Sequence, residues 1–184
     1  MTTPLTLDVN LSSAVAIEAT KALLHAILFH RLLGSIRPQT IDCLNVTVPI
    51  LDDEELDQQL LAKATDFVDS LKRDTSKGNQ VILLFYERPP KKTWFSRHTT
   101  EPWEQWVISV NVIDEDPPYA QSSESLQQAL EKLVLLVNSR VCSYLPPVVS
   151  ENGQYPYEIV VNSASEGWGT LLKRMLIENV SSGE

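Results

Sequence analysis

Apolar residues recur along this chain with two different periods, and the changes of period mark out its elements. Leu5 to Leu11 (LTLDVNL) has an apolar residue at every second position, the spacing of a strand with one buried face. From Ala14 to Leu33 the spacing widens to three and four. Ala16, Ala19, Leu23, Ile27 and His30 share one side of a predicted helix, and Ile17, Leu24 and Leu28 broaden it. Only Glu18, Lys21 and His25 form a polar stripe, so the helix is expected to be enclosed by the fold, capped by Ser12 or Ser13 and stopped at Gly34. Phe29 and Leu32 continue that stripe, where a tail of the chain or a partner is expected to cover them. Ile41 to Leu51 returns to alternation, with Leu44, Val46, Val48 and Ile50 on one face. It reads as a strand whose far end, from Pro49, is at a sheet edge or has already left the ladder. Asp52 and Asp53 then open a second helix with Leu56, Leu60, Ala64, Phe67 and Leu71 on its apolar face, widened by Leu61 and Val68.

The second half repeats the theme. Gln80 to Arg88 (QVILLFYER) is a nearly unbroken apolar run, and Gln105 to Ile113 alternates with Trp106, Ile108, Val110 and Val112 on one face. Both read as strands. A third helix is predicted from Ser122 or Ser123 to about Ser143, with Leu126, Leu130, Leu133, Val134, Val137 and Val141 inward and Leu135 on the opposite side. A late strand at Pro156 to Ser163 and a last helix at Glu166 to Val180 complete the pattern. The fold class is α+β. With 184 residues, 43% of them hydrophobic, and no Gly/Ser-rich linker, one domain is expected.

The segment between the two central strands breaks both periods. It runs Pro-Pro-Lys-Lys-Thr-Trp-Phe-Ser-Arg-His from Pro89 to His98, with a proline pair at its base and two adjacent aromatics, Trp94 and Phe95, that no local pattern buries. Arg88, Lys91, Lys92 and Arg97 make it basic in a chain of net charge −9. That overall charge opposes nonspecific nucleic-acid binding, whereas the local cluster suits an acidic partner or an anionic membrane surface. A displayed aromatic pair implies a binding role. Trp106 shares the buried face of its strand and reads as core; Trp103 stands where the loop re-enters the sheet.

Catalytic and metal chemistry find no constellation. His25 and His30 point about 140° apart on a helix, no histidine has a second ligand at zinc spacing, and Gly167-Trp168-Gly169 lacks the rest of any nucleotide fingerprint. An enzyme is not expected, nor a cofactor. The N-terminal residues lack a secretory signal pattern, and Cys43 and Cys142 read as reduced thiols, so a cytoplasmic location is expected.

The order of elements resembles a HORMA domain. The residues Leu24 to Arg31 (LHAILFHR), Phe85-Tyr86-Glu87, Trp94-Phe95, Pro102-Trp103-Glu104-Gln105-Trp106 and Tyr144-Leu145-Pro146 resemble the autophagy-related protein 101 family within it. The likeness runs from about Leu5 to Ile177. It implies a mainly antiparallel sheet packed against three long helices, with a core at about 5–143 and a closure segment at about 144–180. It also implies a noncatalytic adaptor of autophagy initiation that pairs with the HORMA domain of autophagy-related protein 13 and acts at the phagophore assembly site. Trp94 and Phe95 take the place of the family's recruiting finger, flanked by Lys91, Lys92, Arg97 and Trp103. They are adjacent here, where animal-type fingers hold a proline between the aromatics. Gln128, Lys132 and Leu135 on the third helix are the expected partner surface. The alternative is a membrane-surface module using the same aromatic and basic loop.

Overall fold

The structure is a computed structural model and describes residues 3–32, 37–73, 79–88, 101–113, 119–139, 144–148 and 153–162. Along the chain these form β1 (Leu5–Ser12), α1 (Ala16–Phe29), β2 (Pro38–Cys43), β3 (Val46–Leu51), α2 (Glu54–Arg73), β4 (Gln80–Phe85), β5 (Glu104–Ile113), α3 (Tyr119–Val137) and β6 (Tyr157–Asn162). The predicted helix at 166–180, Gly34, Val141 and Cys142 lie outside the described residues.

Four strands make a mixed sheet in the order β1-β5-β4-β6, and β2 and β3 pair separately. β1 runs parallel to β5, matching Leu5 with Trp106, while β4 is antiparallel to both β5 and β6. Leu5, Leu7, Val9 and Leu11 of β1, Val81, Leu83 and Phe85 of β4, and Trp106, Ile108 and Val110 of β5 join one core with α1. Helix α1 is enclosed, with Leu23, Leu24, Ile27 and Leu28 fully buried. On the opposite face of β4, Ile82, Leu84 and Tyr86 are buried as well. Burial on both faces explains why β4 reads as an unbroken apolar run.

Ile41 to Leu51 is not one strand. It is the β2–β3 hairpin, with Cys43 opposite Val46 and a two-residue turn at Leu44 and Asn45, whose φ angles are 53° and 61°. Two positive φ values match the twist of the flanking strands, and asparagine accepts this conformation readily. Leucine does not, at a cost of about 1–2 kcal/mol. Burying its side chain, which is worth about 1.5–3 kcal/mol, offsets that. The alternation continued smoothly through Leu44, which hid the turn. Pro49 remains inside β3, opposite Thr40.

Helix α2 starts where expected, whereas the starts of α1 and α3 differ. Asp53 caps α2, its Oδ1 accepting the Leu56 N–H at 3.0 Å. Helix α1 begins after Val15 without a side-chain cap, because Ser12 is the last residue of β1. Helix α3 begins at Tyr119, ahead of the predicted start at Ser122 or Ser123, and lies along the free edge of β1. There Ser125 Oγ accepts the Asn10 N–H at 2.8 Å and Ser122 Oγ the Ser12 N–H at 3.1 Å. The edge strand is thereby covered. Small buried Ser122 and Ala129 shift the core face of α3 toward their side, leaving Val134, predicted inward, 46% exposed. Leu61, expected to widen the core face of α2, is also exposed.

Candidate functional site

Strands β4 and β5 end together, Phe85 facing Glu104, so residues 86–103 form one excursion from the sheet. Trp94, Phe95, Lys91, Lys92 and Arg97 lie outside the described residues. Both roots of the excursion are described. The Trp103 N–H donates to the Phe85 carbonyl at 2.9 Å, and the Tyr86 N–H donates to the Pro156 carbonyl at 2.9 Å. Trp103 is partly buried, its ring 6.1 Å from Phe85 and 5.0 Å from buried Tyr155, whose hydroxyl donates to the Pro146 carbonyl. Its indole Nε1 is buried without a hydrogen-bond partner among the described residues. Trp103 therefore ties the root to the late segment. Tyr86 donates its hydroxyl to Glu158 at 3.3 Å, and burial, followed by the Glu158 charge, raises its pKa.

Directly after Trp103 stands Glu104, on the same face of β5 as Trp106 and Ile108. A carboxylate on a core-facing strand position requires partners. Arg31, just past the end of α1, supplies a two-pronged contact: Nε to Oε1 at 2.6 Å and Nη2 to Oε2 at 2.9 Å. Trp106 Nε1 donates to Oε1 at 2.5 Å, and Arg31 Nη1 donates to the His30 carbonyl at 3.0 Å. The guanidinium carbon lies 6.0 Å from the centroid of the Trp106 ring. Both side chains of the pair are at most 5% exposed.

The histidines exchange the places expected for them. His25, read as part of the polar stripe, is fully buried, while His30 is half-buried at the end of α1, edge-on to Phe29. The stripe is covered by α2: Asp57 Oδ1 accepts from Lys21 Nζ at 2.8 Å and from His25 Nε2 at 3.0 Å. His25 Nδ1 has no partner, and burial lowers the pKa of this histidine despite the Asp57 contact. Burial alone would raise the pKa of Asp57, but the Lys21 and His25 hydrogen bonds outweigh it and leave it lowered. Leu32 is buried too, facing a depression of about 250 Å³ whose walls include Arg37, Leu51, Gln154 and Tyr157. The late part of the chain thus borders the end of the stripe.

Gln128, Lys132 and Leu135 lie on the exposed side of α3, beside β1 and on a different element from the excursion root. Gln128 bonds Glu124 at 3.2 Å, Lys132 meets Asp8 of β1 at 3.2 Å, and Leu135 is 72% exposed. Cys43 is buried and free, its thiol pushed up to about 12 by burial and then by the Glu18 charge. Among the described residues no group of three or more His, Cys, Asp and Glu side chains is placed to hold a metal, and no helix is long and apolar enough to cross a membrane.

The residues missed from sequence are Arg31 and Glu104. Extending the alternation of β5 back by one position places Glu104 on the buried face, a detectable signal that the segment starting at Gln105 leaves out.

Comparison with known proteins assigns the chain. The family model for autophagy-related protein 101 matches residues 8–152. A Schizosaccharomyces pombe protein described as autophagy-related protein 101 is 47% identical over 184 residues, covering all of both chains. An Arabidopsis thaliana protein of the same description is 29% identical over 176 residues, covering 81% of each chain. One from Xenopus tropicalis is 34% identical over 123 residues, 58% of this chain and 56% of its own length. Matched by the family model over most of its length and by a relative from end to end, the chain belongs to the autophagy-related protein 101 family.

Proposed function

We propose that this chain, whose family places it in autophagy, acts there as a noncatalytic adaptor with two surfaces on a single HORMA domain spanning 1–184. One surface pairs with and stabilises the HORMA domain of autophagy-related protein 13. The other is the excursion between β4 and β5, which presents Trp94 and Phe95 to downstream factors at the phagophore assembly site. The observation that carries this reading is the root of the excursion. Two strands end in register there, and Trp103, Tyr86 and Glu104 are each held by contacts to separate parts of the fold. Aromatic anchors that enter a partner pocket supply a few kcal/mol when a rigid base spares the ordering cost.

The experiment replaces the chain in cells with Trp94→Ala/Phe95→Ala and scores retention of autophagy-related protein 13, capture of downstream factors and autophagic flux. Retained pairing with lost capture and flux is expected. Loss of both partners would make the aromatics structural and end the finger reading. For the pairing surface, 72% exposed Leu135 is the test position. Leu135→Asp should abolish co-purification of the partner HORMA domain, and unchanged pairing would remove the α3 face from the proposal. The membrane alternative draws on the same loop, whose root residue Arg88 is exposed. Flotation with vesicles containing anionic lipid decides it: salt-sensitive binding lost in Lys91→Glu/Lys92→Glu favours the membrane, and no binding removes it.

A further inference from the structure

We infer that Arg31 and Glu104 are positioning residues for recruitment: their buried pair holds in place the root, residues 101–103, next to which the finger is proposed to act. The inference rests on the finger reading and adds a determinant that touches neither the finger nor its partner. Its basis is geometric. Glu104 is the first residue of β5 and directly follows Trp103, so a contact that holds its side chain acts one residue from the root. Its two oxygens are held by three donors, two from Arg31 and one from Trp106, and Arg31 spends its remaining described bond on the end of α1. The root is thereby registered to a helix 73 residues away in sequence. On its other side Trp103 leans on Phe85 and Tyr155, so the ion pair and the aromatic contact grip one residue step from two directions.

Stability alone is a poor reason for such a pair. Removing two charges from water costs as much as their attraction returns, and apolar residues of similar volume would fill the same space. What apolar residues lack is orientation: a planar, two-pronged contact has one geometry, whereas a greasy contact has many. Display of two aromatics benefits from that difference, because an anchor aimed before binding loses less freedom on binding.

The test uses the full chain in its complex and compares three variants with wild type. Glu104→Gln keeps the size and one acceptor but removes the charge; Arg31→Lys keeps the charge but loses the two-pronged geometry. Trp94→Ala/Phe95→Ala defines the finger-dependent set of captured proteins, which serves as the probe. Both hub variants should retain autophagy-related protein 13 and capture about tenfold less of that set. Amide hydrogen exchange should rise at 86–88 and 101–103 and stay unchanged in β1 and the middle of α1. Capture equal to wild type, with exchange unchanged at the root, overturns the positioning role while leaving the finger reading intact. Loss of fold or of the HORMA partner in both hub variants also overturns it, because the pair would then act through stability. If the aromatic variant still captures everything, the finger reading falls, and exchange at the root alone decides whether the pair orients it.

Discussion

Among the described residues, helix α1 and the turn just past it hold two ionic contacts, and they handle charge in opposite ways. Near its middle, Lys21 and His25 share one oxygen of Asp57 across the seam with α2, where the Asp57 side chain is 39% exposed. Just past its end, Arg31 meets Glu104 where both are nearly sealed from solvent. The first site leaves a polar atom, His25 Nδ1, without a partner, whereas in the second each carboxylate oxygen is bonded. The unpartnered His25 Nδ1 is itself buried, so solvent reaches the seam only through Asp57, which can rehydrate when a partner is lost; the sealed pair has no such outlet. The sealed contact should therefore be the more brittle when one member is removed, and the open one the more responsive to pH.

The largest effect follows from halving the sealed pair. Arg31→Met leaves a buried carboxylate with only the Trp106 indole beside it, and urea unfolding should show a loss of about 3–5 kcal/mol. Arg31→Met/Glu104→Leu should regain most of that loss, less about 1–3 kcal/mol for the stranded indole N–H. A single variant as stable as wild type would mean that the pair is not desolvated, and the contrast with the seam would collapse.

The seam should answer to acid. The pKa of His25 is lowered in the folded state, chiefly by burial, so as pH falls through 6.5 the unfolded chain takes up a proton before the folded one does. Stability is complete well above pH 6.5 and declines below it until the folded histidine also protonates, with a slope of at most about 1.4 kcal/mol per pH unit. Of the groups that face it, Asp57 and Asp53 favour its protonation and Lys21 opposes it. His30, lowered by burial and by Arg31, acts in the same direction. Urea unfolding at pH 7.5, 6 and 5 should therefore give a shallower decline in His25→Gln than in wild type, with a further reduction when His30→Gln is added. An identical slope in His25→Gln would show that the seam does not titrate. Asp57 adds a separate loss, as pH falls below its ordinary 3.8 toward the lowered folded value.

The same contrast explains what was legible in the sequence. Periodicity reports burial of apolar residues, so β1, α2, β4, β5 and β6 were readable to within a few residues. It reports a polar residue as exposed unless something else intervenes. His25 therefore read as a surface stripe, because the acceptor that covers it comes from Asp57, 32 positions away. Arg31 and Glu104 were invisible as a pair at a separation of 73. The hairpin was lost for a related reason: Leu44 keeps the alternation while its backbone turns, since a buried leucine and a strand leucine look alike in sequence. The break in periodicity marked where β4 and β5 part, and the root was legible only as far as Trp103 and Trp106.

A third ionic contact of the fold supplies the smallest effect and bounds the comparison. Lys132 of α3 and Asp8 of β1 are 45% and 70% exposed. Water screens such a pair and ordering two long side chains consumes much of its attraction, so its worth is about 0–1 kcal/mol. The attachment of α3 to β1 rests instead on Ser122 and Ser125, which satisfy edge N–H groups, and on Leu126 and Leu133 in the core. Lys132→Ala should therefore leave the urea midpoint nearly unchanged, while Ser122→Ala, stranding the Ser12 N–H in a buried place, should cost about 1–3 kcal/mol. If Lys132→Ala also weakened the proposed pairing with autophagy-related protein 13, the loss would be assignable to the surface itself, because the fold beneath it would be intact. A Lys132→Ala variant destabilised as much as Ser122→Ala would instead mean that α3 is held by charge, and solvent exposure would no longer separate the strong contacts of this fold from the weak ones.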